Sequence, residues 1–201
     1  MSANKNIILN KKIVPDNWQL VCKDEALPGV LETAGDLIVP LAFWIKEHAA
    51  LAQRAGKTGV WLNGADDPAQ LQLPVAMGVA AGGAGGAGAA GGAAGNAAGG
   101  AVNSLPLIAV EFAQFVDGRG YSIGRLLRER HGFTGELRAI GDVLRDQLLA
   151  LTRCGFNSFV LKEGKSLVDA LQAFDEFSGA YQNTVDQPVP YYRRRLTAVA
   201  A

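Results

Sequence analysis

The chain has 201 residues, of which 49% are hydrophobic and 19% charged, and its 19 basic side chains balance its 19 acidic ones. This composition is typical of a single globular domain over residues 1–201 and excludes an intrinsically disordered chain. A general nucleic-acid binder or acidic-membrane binder would carry a basic excess, so neither nucleic acid nor membrane is expected as a partner.

A low-complexity tract separates the two halves of the sequence. Residues 78–101 comprise 11 Gly, 11 Ala, one Val and one Asn. Each interspersed glycine opposes helix by about 1 kcal/mol, and the tract has little apolar area to offset the entropy of ordering. We therefore predict a flexible insertion over residues 78–101, with a lid over a site as its functional alternative. The aperiodic residues 183–201 are predicted to form a C-terminal tail.

The sequence also lacks targeting, membrane and metal-binding patterns. The first ten residues contain an apolar run of only three, shorter than the core of a signal peptide. No run of large apolar residues reaches the roughly 18 needed to span a membrane. Cys22 and Cys154 are far apart and outside any CxxC pair, which argues against a disulfide framework or a thiolate metal site. These features predict a cytoplasmic protein that holds no metal.

The first half is predicted to begin with a β-hairpin over residues 6–21, in which the runs 7–9 and 18–21 flank a polar middle containing Pro15 and Asp16. A strand, a helix and a second strand are then predicted for the segments 37–41, 43–55 and 59–62.

The second half alternates regularly between strands and helices. Strands are predicted at 107–112, 136–140 and 157–161, and helices at 122–131, 142–151 and 166–181. Such alternation produces right-handed βαβ units with mainly parallel pairing. The sequence therefore predicts an α/β fold with a mainly parallel sheet of about five strands, of the open doubly wound or partial-barrel type, and an N-terminal hairpin.

The first polar junction of the second half lies after strand 107–112, at the sheet edge where open parallel sheets bind ligands. Two glycines permit a tight turn there, and the N–H groups of the following helix attract an anion. Arg119 would donate a fork of hydrogen bonds to phosphate, sulfate or sulfite. The candidate ligand-binding residues are Asp117, Gly118, Arg119, Gly120, Tyr121 and Ser122. A plain turn is the structural alternative for Asp117 and Gly118.

The next junction supplies three more candidate ligand-binding residues, Arg138, Asp142 and Arg145. Arg138 is out of phase with the apolar residues on either side of it in its strand. Asp142 and Asp117 are the candidate catalytic residues, because two converging carboxyl groups can serve as acid and base. The structural alternative for Asp142 is a helix N-cap.

No sequence pattern identifies a cofactor. The run Gly118-Arg119-Gly120 lacks the third glycine of a dinucleotide fingerprint, because position 123 is Ile. No cysteine spacing matches an iron–sulfur site. The reactivity of Cys154 is left open, because the helix dipole disfavours a thiolate there and Arg153 favours one, and a buried, inert thiol is the default interpretation. The cofactor therefore stays unassigned.

Five stretches of the second half together resemble one bacterial family, and they are 107–112, 117–122, 125–130, 135–147 and 153–156. The family is the domain of unknown function numbered 934, which is labelled an oxidoreductase involved in sulfite reduction. The similarity runs from about residue 105 to residue 182 and is looser over residues 7–62. Members are encoded near the assimilatory sulfite reductase and adenylylsulfate-reducing enzymes, and no catalytic residues carry over from them.

Three hypotheses follow for the function. The resemblance implies an accessory protein or oxidoreductase of assimilatory sulfite reduction, whose partner is sulfite reductase or another sulfur-assimilation enzyme. The polar junctions favour a small-molecule enzyme or sensor that binds an oxyanion, either phosphate, sulfate, sulfite or a phosphosulfate nucleotide, at the carboxyl edge of the sheet. The third hypothesis is a structural subunit without an active site.

Overall fold

The computed structural model describes residues 6–22, 27–72, 102–177 and 180–194. The predicted insertion at 78–101 lies outside these residues. Eight strands form one mixed sheet in the order β2-β1-β8-β7-β6-β5-β4-β3. The strands are β1 (Asn6–Leu9), β2 (Lys12–Pro15), β3 (Trp18–Leu20), β4 (Asp36–Pro40), β5 (Thr58–Leu62), β6 (Leu107–Phe112), β7 (Glu136–Gly141) and β8 (Ser158–Phe159).

The N-terminal hairpin is present, but its second strand is not the predicted one. Strand β1 pairs antiparallel with β2 through a two-residue turn at Asn10 and Lys11, whose φ angles are 50° and 61°. This left-handed conformation at both positions matches the right-handed twist of a two-residue hairpin. The run beginning at Trp18 is instead β3, which pairs parallel with β4 at the other end of the sheet.

Six neighbouring strands, from β3 to β8, pair in parallel, and the hairpin adds two strands through the antiparallel pair β1–β8. The predicted sheet of about five mainly parallel strands was therefore too small, and the sheet is mixed. The undercount arose because the polar residues around Asp16 suggested one hairpin where the chain forms three short strands.

The sheet curls into a half-barrel because its two outer strands are consecutive in the chain. Only Asp16 and Asn17 separate β2 from β3. A flat sheet of eight strands would place its outer strands about 34 Å apart. The three Cα–Cα steps from Pro15 to Trp18 reach at most about 11 Å. The partial-barrel alternative is thus confirmed.

The helices pack on the convex face of this half-barrel. They are α1 (Leu41–Leu51), α2 (Arg119–Glu129), α3 (Leu148–Arg153) and α4 (Leu167–Gln172). Strand residues such as Val60, Val110 and Leu137 form one core with helix residues such as Leu127 and Leu151. Within the parts of the chain that the structure describes, the cluster on the concave face consists of strand residues and their neighbours and contains no helix residue. The doubly wound alternative, which needs helices on both faces, was therefore wrong.

Two helix starts differ in how well they were predicted. Ser166, the first residue of the predicted helix 166–181, is the N-cap of α4, because its Oγ accepts a hydrogen bond from the Asp169 N–H at 3.2 Å. Asp142 does not cap a helix: Leu144 is extended, and its N–H donates to Gln147 Oε1 at 2.9 Å before a 3-10 turn leads into α3.

Over the described ranges, none of the helices has the length and apolar character required to cross a membrane.

Candidate functional site

The concave face of the half-barrel contains a buried arginine. Arg138 lies in the middle of β7 and is 1% exposed. Its neighbours Leu137 and Ala139 point into the core shared with the helices, whereas Ile140 belongs to the concave cluster. Because side chains alternate along a strand, Glu136 and Arg138 point to the concave side together with Ile140.

Two carboxylates hold the Arg138 guanidinium. Its Nε and Nη2 donate to Glu136 Oε1 at 2.9 and 2.7 Å, and its Nη1 donates to Asp16 Oδ1 at 2.9 Å. The side chains of Asp16 and Glu136 are also mostly buried. A buried charge of this kind is stable only when its hydrogen-bonding groups are paired, so the three side chains form one interdependent unit.

A cavity of about 620 Å³ opens beside this unit. Its walls come from strands that are not neighbours in the sheet order, with Trp18 and Ile38 from β3 and β4 and Arg138 and Ile140 from β7, which lies three positions from β4. The cavity exists because the curl brings these strands face to face. Its volume is within the range of small-molecule sites, which is about 300–1,000 Å³.

The mouth of the cavity lies at the carboxyl edge of the parallel strands. Gly141 ends β7 there with φ of +96°, and a Cβ at this position would overlap the Phe112 carbonyl. Lys162 and Glu163 line the mouth, and Lys162 Nζ forms an ion pair with Asp142 Oδ1 at 2.7 Å. Asp142 thus acts at the rim of the cavity as the partner of a cation.

The predicted anion loop after β6 is for the most part the first turn of a helix. Helix α2 begins at Arg119, so Gly120, Tyr121 and Ser122 are helical residues. A Cβ at Gly120 would lie 2.6 Å from the Phe112 ring, so this glycine serves close packing of α2 on the sheet. Gly118 precedes the helix and is exposed.

Arg119 is paired within its own loop. Its Nη2 donates to Asp117 Oδ2 at 2.7 Å, and its Nε donates to Asp117 Oδ1 at 3.0 Å. These hydrogen bonds lower the pKa of Asp117 to about 2. The loop therefore carries an ionised carboxylate and a guanidinium that neutralise each other.

The remaining predicted residues do not converge on one site. Arg145 pairs with Glu176 at 2.6 Å and with Asp169 at 3.6 Å, on the side of the sheet that carries α4. The two candidate catalytic carboxylates, Asp117 and Asp142, each have a separate cationic partner. The structure thus places the three predicted arginines in three separate groups of ion pairs.

Sequence reasoning missed two residues of the cavity, Asp16 and Trp18, and the Glu136 partner of Arg138. The in-phase spacing of Glu136 and Arg138 along one strand was a readable signal for that pair. Nothing local could connect Asp16 with a residue 122 positions away. Within the described part of the chain, no group of three His, Cys, Asp or Glu side chains is placed to hold a metal ion.

Cys154 lies at the C-terminal end of α3 and is partly buried. Burial is the main cause that raises the pKa of its thiol. A raised pKa lowers the thiolate fraction at neutral pH and makes the sulfur a poor nucleophile.

Comparison with known families gives a match over residues 90–192, which is just over half of the chain. The matching family is described as a bacterial protein of unknown function, DUF934. The chain belongs to this family. Search of the curated proteins finds none that matches. Arg138, Glu136 and the mouth of the cavity fall inside the DUF934 match, whereas Asp16 and Trp18 precede it.

Proposed function

We propose that this DUF934 protein acts in bacterial assimilatory sulfite reduction, as an accessory protein or an oxidoreductase that works with or beside sulfite reductase. Family membership carries this proposal, because DUF934 proteins are encoded near the enzymes that reduce sulfite and adenylylsulfate. The chain supports it with the residues 107–112, 117–122 and 135–147, which bear the similarity and form two parallel strands with their following loops.

Deletion of the gene in its bacterial host tests the proposal. The deletion strain should grow with sulfide or cysteine as the sole sulfur source and should grow poorly with sulfate or sulfite. Rescue by sulfide but not by sulfite assigns the defect to sulfite reduction itself. Unchanged growth on all four sources, or failure on sulfide as well, contradicts the proposal.

Affinity capture separates the accessory role from a free-standing enzyme. The tagged full chain should recover sulfite reductase or another sulfur-assimilation enzyme from a lysate of sulfate-grown cells. A lysate of cysteine-grown cells, in which these enzymes are less needed, is the control. If the tagged chain recovers the same unrelated proteins from both lysates and no sulfur-assimilation enzyme, the result contradicts a dedicated partner.

A second candidate function is a small-molecule enzyme or sensor, and the observation that favours it is the cavity at the carboxyl edge of the sheet. From the sequence, this hypothesis predicts that Arg119, Arg138 or Arg145 binds an oxyanion. Each of these arginines already pairs with a carboxylate, so an oxyanion would have to compete with an internal ion pair. A structural subunit remains the third hypothesis.

A further inference from the structure

The concave face has an excess of acidic side chains. Glu111 follows Ala109 on β6 and is paired in register with Ile140, so strand alternation places it on the same face as Arg138. Among the charged side chains that line the cavity, Asp16 and Glu163 balance Arg138 and Lys162. Glu136, which pairs with Arg138, and Glu111 lie on the same face and add a formal excess of two negative charges beside the cavity.

Two polar groups of this face still have hydrogen-bonding capacity. Asp16 Oδ1 accepts from Arg138 Nη1 and from the Trp18 N–H, whereas Asp16 Oδ2 has no hydrogen bond with the described residues. Ser158 is fully buried, and its Oγ has no hydrogen-bond partner there. Ser158 is the register partner of Arg138 and points to the same side as Val160, which lines the cavity.

A large part of the cavity wall is apolar. Trp18, Ile38, Ile140 and Val160 line it, and Trp18 is only partly buried. An indole face attracts a cation as well as hydrocarbon, and the attraction adds to that of a nearby carboxylate. The cavity thus combines a carboxylate oxygen, Asp16 Oδ2, that has no hydrogen bond with the described residues and an aromatic and aliphatic wall.

We propose that this cavity binds a small organic molecule with a protonated amine, whose ammonium group contacts the Asp16 carboxylate and whose carbon skeleton packs on Trp18. An ammonium group supplies the hydrogen-bond donor that Asp16 Oδ2 lacks. An oxyanion would add negative charge to a face that already has an acidic excess, and it would lose hydration that Arg138 could only partly replace.

Isothermal titration calorimetry on the full chain tests this ligand class with probes of matched shape. Phenethylamine and n-butylamine represent amines, 3-phenylpropionate represents anions and 2-phenylethanol represents neutral ligands. We expect saturable one-to-one binding of at least one amine, at least tenfold tighter than binding of the anion and the alcohol. Sulfite and sulfate are titrated in parallel. Tighter binding of any anion than of the amines, or no saturable binding of either amine, overturns the proposal.

Two variants locate the bound amine. Asp16→Asn keeps an acceptor for Arg138 but removes the negative charge, and it should weaken amine binding at least tenfold. Trp18→Phe should weaken it less and should reduce the change in tryptophan fluorescence on binding. Asp175→Asn, at an exposed carboxylate far from the cavity, should leave binding unchanged. If Asp16→Asn fails to fold, Glu163→Gln at the mouth takes its place, with an expected weakening of at least twofold.

Equal binding by the parent protein and by both cavity variants contradicts the assigned site. The outcome is independent of the role in sulfite reduction, because the growth test measures a pathway defect and calorimetry measures a ligand class. A strain with normal growth on sulfite would overturn the proposed function and leave the amine site standing.

Discussion

Asp16 Oδ1 lies 2.9 Å from Arg138 Nη1, although the two residues are 122 positions apart in the chain and β7 is the fourth strand in the sheet order. Asp16 lies between β2 and β3, the two outer strands, and Arg138 lies in β7. The contact therefore exists only when the sheet is curled, and it joins the residues that fix the curvature to the residues that line the cavity.

The buried arginine should be essential for stability. Arg138→Met leaves the Asp16 and Glu136 carboxylates buried without their cation, and such a loss costs about 3–5 kcal/mol. We expect a matching decrease in the free energy of unfolding, measured by urea denaturation. The control is Arg125→Met, because Arg125 forms an exposed pair with Glu129 whose loss costs less than about 1 kcal/mol. Similar losses in both variants would show that Arg138 is not a buried structural cation.

A close helix contact should make one glycine sensitive to substitution and its neighbour tolerant. Gly120→Ala inserts a methyl group 2.6 Å from the Phe112 ring and should destabilise the protein by about 1–3 kcal/mol. Gly118→Ala meets no atom within 4 Å, and its φ of −82° suits any residue. We expect Gly118→Ala to change the free energy of unfolding by less than about 1 kcal/mol. Thermal unfolding of the Gly120→Ala and Gly118→Ala variants measures both losses of stability. Equal losses in the two variants would contradict the packing role of Gly120.

The Asp117–Arg119 pair should make stability depend on pH in the acidic range. The pKa of Asp117 is lowered to about 2, so its stabilising contribution is fully present above the unfolded pKa of about 3.9 and is lost as the pH falls through about 2. The stability difference between the parent protein and Asp117→Asn should therefore shrink over this window. Carboxyl NMR titration of Arg119→Gln should show the Asp117 pKa moving back toward its ordinary value. A difference that stays constant from pH 5 to pH 2 would contradict the assignment.

The two cysteines should react at different rates. Cys22 is exposed, whereas Cys154 is partly buried and burial raises the pKa of its thiol. Iodoacetamide at pH 7.5 should modify Cys22 first, and Cys154 should react only at higher pH or after unfolding in urea. Mass spectrometry of Cys22→Ser and Cys154→Ser measures each site separately. Rapid modification of Cys154 in the folded protein would show that its thiol is accessible and activated.

Elements that a short segment specifies were predicted well. Strand β6 has its predicted bounds because Leu107–Phe112 is an almost continuous apolar run. The start of α4 is local too, because the hydrogen bond from the Asp169 N–H to Ser166 Oγ joins residues that are only three positions apart. The partner of β1 could not be chosen in this way. Residues 12–15 and residues 18–20 both have sequences suitable for strands. The tight turn formed by Asn10 and Lys11 in the left-handed conformation makes residues 12–15 the partner of β1.

The candidate site was predictable only in part, because its geometry depends on distant pairings. Arg138 was singled out by its phase in the strand, and its burial gives that irregularity a structural reason. The sequence-based expectation placed Arg119 and Arg145 beside it at one edge. Local carboxylates, Asp117 and Glu176, hold those side chains instead. A pattern of strand-end polar residues identifies the edge of a sheet, but not which ion pairs form there.

The pairing of β1 with β8 has a consequence for synthesis. Ile8 leaves the ribosome 151 residues before Phe159, its partner on β8. At about 5–20 residues per second, the hairpin waits about 8–30 s for that partner. During this interval it has an unpaired strand edge, which other chains can join. Completion of the sheet is therefore a late, nonlocal event, and nascent chains should depend on chaperones more than the finished protein does.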